Sequence, residues 1–186
     1  MKLTKFYVVN YDILIKSLNL KSAKKWIEKV DSIYNSELPI PQDPSQILED
    51  LSSGEWYSAF YLEDLLPDIS HVTTHWIFTE YTKNDSEKFI IFLKEHQSKI
   101  YKSLTAEIPN IFPASPNGFG FIPADTVDYF LKLLPEEDLS NKIQDVNEGL
   151  YQELRIALEK ARTESCSIVV SHLPDLIDKS DRFFDF

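Results

Sequence analysis

Paired cysteines, glycine-rich tracts and long hydrophobic runs are all missing from this chain of 186 residues. Its single cysteine, Cys166, cannot form an intramolecular disulfide, which excludes a disulfide scaffold and favours a reducing compartment. Four glycines occur, and the two in "NGFGF" have the wrong spacing for either nucleotide-binding fingerprint. There is also no G-x-S-x-G motif of the kind that presents a nucleophilic serine. Neither a phosphate loop nor a nucleophile elbow is therefore expected.

No stretch of the sequence is long and apolar enough to cross a bilayer. The N-terminus does not have the pattern of a signal peptide, because Asn10, Asp12 and Lys16 interrupt its apolar residues and no small-residue cleavage pattern is present. We therefore expect a soluble, cytoplasmic protein that does not associate with a membrane.

Positive charge is scarce, and its distribution is uneven. The formal net charge is −11, and no Lys or Arg occurs between Lys29 and Lys83. This interval holds ten acidic residues: Asp31, Glu37, Asp43, Glu49, Asp50, Glu55, Glu63, Asp64, Asp68 and Glu80. Nucleic-acid binding requires a positive surface, so no nucleic acid is expected as a partner. The acidic stretch 31 to 80 can attract a basic protein partner, or it can be a solvated surface that keeps the chain soluble.

Apolar residues make up 43% of the chain and aromatic residues 13%, which is enough to build the core of one domain over residues 1–186. The segments "TKFYVVN" (4–10) and "SCSIVVSHL" (165–173) are rich in aromatic and β-branched residues and predict strands. The residues between them are mainly helical in pattern. Strands at the two chain ends with helices between them predict an α+β fold that is mostly helical, with a small sheet formed by the N-terminal and C-terminal strands.

Several helices are predicted from apolar spacing and caps. One starts at Ser22, and the stretch 55–85 is apolar nearly all round, which predicts buried helices broken at Pro67. A long helix is predicted from Asp85, a helix over 124–134 and a last long helix over 146–161. A short strand is predicted at "FGFI" (119–122), within the irregular stretch 105–123.

Two histidines stand four positions apart in "HVTTHWIF". If residues 69–82 form a helix, His71 and His75 project from the same face one turn apart, which is a feasible bidentate metal arrangement. A zinc site needs a third protein ligand, and Val72 stands where the zincin helix requires a glutamate. We therefore expect a packed or hydrogen-bonded pair, with no metal and no cofactor. His96, on an apolar helical stripe, is interpreted as a core residue.

Aromatic residues are dense in the middle of the chain. Seven lie within 26 positions: Trp56, Tyr57, Phe60, Tyr61, Trp76, Phe78 and Tyr81. Aromatic side chains in acidic surroundings are typical of a protein-binding hot spot or a pocket lining, although burial within helices explains them equally well. The candidate partner-binding residues are Trp56, Tyr61, Trp76, Glu63 and Asp64.

Two segments, "DISHVTTHWIFTE" and "GFGFIPADTVDYFLKLLPEEDLSNKI", resemble the YfbM-like family of small bacterial proteins. The segment 75–79 looks like the family's His-aromatic-Leu-Leu-Thr-Gly motif, with Glu80 in place of the Gly. The segment 122–127 looks like its "L-x-P-E-x-V" helix, with Asp125 in place of the usual acid, and 134–137 approximates "L-S-P-E-E-L". The resemblance implies an α+β fold and a bacterial, cytoplasmic setting. It implies no activity, cofactor or catalytic residue.

Three functional hypotheses follow. The first is a non-enzymatic protein-binding domain whose acidic stretch contributes the surface for a basic protein partner. The second is a hydrolase-type enzyme that uses His75, with His71 nearby, and a carboxylate such as Glu80 or Asp68. The third, a special case of the first, is an immunity-type protein that neutralises a basic toxin. The sequence leaves the oligomeric state open.

Overall fold

A four-stranded antiparallel sheet lies at the centre of the computed structural model, which describes residues 2–35, 37–78, 98–114, 118–134 and 148–172. The strands are β1 (Lys2–Val9), β2 (Ser70–Phe78), β3 (Phe119–Ile122) and β4 (Ser167–Ser171). Their order in the sheet is β2-β1-β4-β3. The N-terminal and C-terminal strands are therefore central neighbours, with Phe6 opposite Val170. The predicted α+β fold is confirmed.

Helices occupy most of the remaining described residues. They are α1 (Tyr11–Ser17), α2 (Leu20–Tyr34), α3 (Pro44–Glu49), α4 (Trp56–Ile69), α5 (Ser98–Leu104), α6 (Val127–Leu133) and α7 (Glu148–Glu164). A 3₁₀ turn over Ala124–Thr126 precedes α6. None of the helices within the described residues is long and apolar enough to cross a membrane.

Side-chain caps explain why the chain turns sharply between β1 and α2. Asn10 accepts hydrogen bonds from the backbone N–H groups of Asp12 and Ile13, which starts α1. Asn19 starts α2 in a capping box with Ser22. The amide of Asn19 also donates to the carbonyl oxygens of Lys16 and Ser17, the last residues of α1. The corner between α1 and α2 is therefore held by side chains that the local sequence supplies.

Helices cover both faces of the sheet. Helices α1 to α4 pack on the face that includes Tyr7, Val9 and Phe121. Helices α5 to α7 pack on the opposite face, which includes Phe6 and Val8. Because successive residues of a strand point to opposite faces, a strand covered on both sides is buried at every position, as β3 and β4 are. This explains why these segments contain no charged residue and why even the serines at the ends of β4 are buried.

Two predicted elements in the middle of the chain are wrong. Residues 70–78 form strand β2, although buried helices are predicted throughout 55–85. The strand pairs antiparallel with β1 from Ser70 to Phe78. Helix α4 is not broken at Pro67 but continues to Ile69. Proline is tolerated there because only the last turn of the helix loses a hydrogen bond. The β-branched and aromatic content of "VTTHWIF" favours the strand, and pairing with β1 stabilises it.

The other predicted elements agree with the structure where it describes them. The segment "FGFI" is strand β3, and the helix predicted over 124–134 is the 3₁₀ turn followed by α6. The last long helix is α7. The helix predicted from Asp85 starts outside the described residues. His96 and Glu80 also lie outside them.

Candidate functional site

The two histidines lie on a strand, which changes what they can do. Residues four apart in a strand are separated by about 13 Å along the backbone, so His71 and His75 cannot hold one metal ion as neighbours on a helix would. His71 is exposed at the start of β2. The backbone of His75 pairs with Lys5 of β1. The bidentate arrangement depended on a helix over these residues, and the structure has a strand there instead.

The remaining described histidine, His172, joins three elements. Its Nε2 lies 2.7 Å from the carbonyl oxygen of Leu104 in α5. Its Nδ1 lies 3.1 Å from the hydroxyl of Thr4 in β1. A carbonyl oxygen can only accept, so Nε2 carries a proton. In the neutral ring, Nδ1 then accepts from the threonine hydroxyl. Both ring nitrogens of His172 therefore form hydrogen bonds, which hold the sheet and α5 together.

Glu63 of α4 belongs to a buried polar cluster with two residues of β1. Its Oε1 accepts hydrogen bonds from the ammonium of Lys5 at 2.8 Å and from the hydroxyl of Tyr7 at 2.7 Å. The side chains of Lys5 and Glu63 are only 12% and 5% exposed. The other carboxylate oxygen of Glu63, Oε2, is buried and has no hydrogen-bond partner among the residues that the structure describes. Glu63 was predicted to contact a partner, and its burial excludes that role in the folded chain.

The sequence contains a signal for this cluster. Lys5 is a cation within the apolar strand "KFYVV", and Glu63 is an anion within the apolar helix "SAFYLEDLL". A charge inside a segment that is otherwise buried requires a partner of opposite sign. Only the packing of α4 on β1 shows that these two residues are partners.

The neighbouring carboxylates of α4 lie nearer the solvent. Asp64 accepts hydrogen bonds from the indole of Trp26 at 3.1 Å and from the ammonium of Lys29 at 3.0 Å. Asp68 is exposed. Asp64 therefore connects α4 to α2 by hydrogen bonds, and its side chain is partly exposed to solvent.

The candidate aromatic residues fall into different environments. Tyr61 is 1% exposed, and its hydroxyl lies 2.6 Å from that of Ser22. It is a core residue, so the expectation that it contacts a partner is wrong for the folded chain. Trp56, in contrast, is 41% exposed. The backbone of Trp76 pairs with Thr4 in the sheet, and its side chain lies outside the described part of the structure.

Exposed and half-buried acidic and aromatic residues meet at the turn between α3 and α4. We define the acidic corner as Glu49, Asp50, Glu55, Trp56 and Tyr57. Asp50 accepts a short hydrogen bond from the hydroxyl of Tyr57. The ring of Trp56 stands edge-to-face against that of Tyr57, with centroids 5.6 Å apart. The carboxylates of Glu49 and Glu55 are exposed and have no ion pair within the described residues.

The turn that forms the acidic corner is rigidly held. The hydroxyl of Ser58 donates to the carbonyl oxygens of Asp50 and Glu55, at 3.1 and 2.8 Å. Gly54 adopts φ +73°, a left-handed conformation that favours glycine. It packs against Pro113, whose Cγ would lie 2.8 Å from a Cβ at this position. The corner is therefore a preformed surface.

The hydrogen bond between Asp50 and Tyr57 shifts the pKa values of both residues. Tyr57 and, less strongly, Gln46 donate to Asp50 and lower the pKa of its carboxyl. The bond to Asp50, followed by burial and the charges of Asp50 and Glu55, raises the pKa of Tyr57 to about 12. Asp50 therefore stays ionised and Tyr57 stays protonated over the whole physiological pH range.

We predict that Tyr57 ionises well above the ordinary range of tyrosine and that Asp50→Asn lowers its pKa. The folded-state pKa of Tyr57 is raised, so the bond stabilises the fold below pH 10 and is lost as the pH rises towards about 12. The measurement is ultraviolet absorbance of the phenolate against pH, with Tyr57→Phe identifying the contribution of Tyr57. A Tyr57 titration that is unchanged in Asp50→Asn would contradict the assignment.

Other reactive groups are not assembled into a centre within the described residues. No three His, Cys, Asp or Glu residues of this part of the chain lie together as a metal site requires. Cys166, just before β4, is a buried free thiol, and its burial raises its pKa. A buried thiol of raised pKa is a poor nucleophile.

The chain was also compared with known proteins. No protein-family model, curated protein or solved structure matches it, so the resemblance to the YfbM-like family stays a prediction.

Proposed function

We propose that this protein is a non-enzymatic binding domain whose acidic corner docks a basic surface of another protein. The observation that carries the proposal is the exposed Trp56, which lies in the same turn as Glu49 and Glu55, two exposed carboxylates without an ion pair within the described residues. Tryptophan is enriched among the residues that dominate protein interfaces, and surrounding charges set the choice of partner and the rate of encounter.

The absence of positive charge from the surrounding sequence supports this role. No Lys or Arg occurs from residue 30 to residue 82, so the chain segment that forms the acidic corner cannot neutralise itself. Glu49 is the last residue of α3, and Asp50 caps its C-terminal end. Negative charge at a helix C-terminus interacts unfavourably with the helix dipole. A basic partner would offset this local cost.

The proposed setting is the cytoplasm, and the proposed partner is a protein rather than a nucleic acid. The single cysteine of the chain is a buried free thiol, which is compatible with a reducing compartment. Exposed carboxylates repel phosphates and attract lysine and arginine side chains.

The test uses a labelled lysine-rich peptide as the probe and fluorescence anisotropy as the measurement. We expect the peptide to bind the wild-type protein at low salt and to dissociate as salt screens the charges. Glu49→Lys/Glu55→Lys should weaken binding by at least about tenfold, because like charges then face each other. Trp56→Ala should weaken binding by a similar factor with no change of charge.

The matched control is Glu107→Lys/Glu159→Lys. These two glutamates are also exposed, and their reversal changes the net charge by the same amount. We expect the control to keep most of the affinity of the wild-type protein. Equal losses in the two double variants would show that the peptide responds to net charge alone, and the proposed site would then be wrong.

A further inference from the structure

A second surface, of opposite charge, lies where α1 meets α2. We define the basic corner as Lys16, Leu20, Lys21, Lys24 and Lys25. The four lysines are exposed, and Leu20 is 58% exposed. Ile13 and Ile15 of α1 are also 46% and 42% exposed. Three of the seven exposed large hydrophobic side chains in the described chain therefore lie within residues 13–20, beside the lysines.

Few ion pairs within the described residues compensate the lysines of the basic corner. Lys24 has one loose ion pair, 3.9 Å from Glu28, and the other three have none within the described residues. Lys21 is three and four positions from Lys24 and Lys25, so the like charges repel along one face of α2. They also lie in the first half of α2, whose first turn has no acidic residue. Positive charge near a helix N-terminus is unfavourable.

The two corners are complementary. One offers exposed lysines beside exposed aliphatic side chains, and the other offers exposed carboxylates beside an exposed tryptophan. Both are placed by fixed local structure, the capping box at Asn19 and the left-handed turn at Gly54. No ion pair joins them within one described chain, so their charges are available to another molecule.

We propose that the basic partner of the acidic corner is a second copy of this chain, which docks through its basic corner. This inference rests on the proposed function, since it names the partner of the same site. Apolar contact of Leu20 with the region of Trp56 would supply burial, and the lysine–carboxylate pairs would set the orientation.

The net charge gives the association a distinctive dependence on salt. Each copy carries a formal charge of −11, so two copies repel each other over the Debye length, which is about 30 Å at 0.01 M salt and about 10 Å at 0.1 M. At about 1 M salt the Debye length is about 3 Å, and the contact pairs are themselves screened. Association is therefore strongest at intermediate salt and weaker at both extremes.

Sedimentation velocity of the full chain tests the inference. We expect the wild-type protein to associate with rising concentration at about 0.1 M salt and to dissociate at about 0.01 M and about 1 M. Lys21→Glu/Lys25→Glu and Glu49→Lys/Glu55→Lys should each reduce the association constant by at least tenfold. An equimolar mixture of these two variants should associate again, because the intact acidic corner of one meets the intact basic corner of the other.

Two further variants separate this inference from the proposed function. Lys102→Glu/Lys132→Glu, at exposed positions elsewhere, makes the same change of charge and should leave self-association unchanged. Leu20→Ser keeps every charge and should weaken self-association while the lysine-rich peptide binds as before. Circular dichroism confirms that each variant is folded.

The outcomes are distinguishable. A wild-type chain that remains monomeric at every salt concentration overturns the second-copy inference, and peptide binding then still supports the acidic corner as a site for a different basic protein. The second-copy inference is also overturned if the wild-type protein self-associates but the mixture of the two charge-reversed variants does not. Another surface is then responsible for the self-association. If the wild-type protein neither binds the lysine-rich peptide nor self-associates, the proposed function is overturned as well.

Discussion

Replacing Gly120 with alanine should prevent folding or lower the free energy of unfolding by more than about 3 kcal/mol. A Cβ at this position would lie 2.3 Å from the carbonyl carbon and from the oxygen of Leu104, and 2.6 Å from the carbonyl oxygen of Ser103. These are backbone atoms at the end of α5, so they cannot move aside as a flexible side chain can. Strand β3 and helix α5 would have to separate. Chemical denaturation followed by circular dichroism measures the change.

Gly54→Ala is the comparison for this prediction. Its new Cβ would meet the side chain of Pro113 rather than backbone, in a turn where φ is positive. We expect a loss of about 1–2 kcal/mol. Ser53→Ala, an exposed position in the same turn, should have almost no effect. If Gly120→Ala were as stable as Ser53→Ala, the close approach of β3 to α5 would be incorrect.

Replacing Glu63 with leucine should lower the free energy of unfolding by about 3 kcal/mol. The carboxylate accepts from Lys5 and Tyr7, and its removal leaves the ammonium of Lys5, whose side chain is 12% exposed, without this counterion. The cost comes from the desolvated charge that remains rather than from the value of the pair itself. Urea denaturation of the single variant and the wild-type protein measures it.

The adjacent residue provides the matched control. Asp64→Asn also removes a carboxylate from α4, but its ion pair is with Lys29, whose side chain is 47% exposed. Exposed ion pairs contribute about 0–1 kcal/mol, so the loss should be small. Lys5→Met/Glu63→Leu should recover much of the stability that Glu63→Leu loses, because an apolar pair replaces the buried ions. Equal losses for Glu63→Leu and Asp64→Asn would contradict the buried cluster.

The acidic and basic corners could be predicted in part from the sequence. The absence of positive charge between Lys29 and Lys83 is visible without any structure, and so is the lysine-rich start of the chain. Which acids reach a common surface was not predictable. Glu63 and Tyr61 turn into the interior, whereas Glu55 and Trp56, in the same segment, are exposed. The segment is apolar nearly all round, so its periodicity does not indicate which side faces the sheet.

The histidine pair shows a different limit. A spacing of four suits one face of a helix, but residues 71–74 alternate between more and less exposed positions as a strand does. The β-branched residues of "VTT" favour a strand, whereas the nearly continuous apolar character of 55–85 predicts helices. The structure decides the question through pairing with β1, a contact between residues more than sixty positions apart.

The sequence by itself determined the features that depend on neighbouring residues. These are the capped start of α2 at Asn19, the left-handed turn at Gly54, the apolar end strands and the opposite charges of the two chain segments. Only the tertiary structure decided which charges are buried and which are exposed, because that depends on how α4 packs across β1. Lys5 and Glu63 are 58 positions apart, and no local pattern relates them. The free energy of a charge depends on its surroundings, and the whole fold supplies those surroundings.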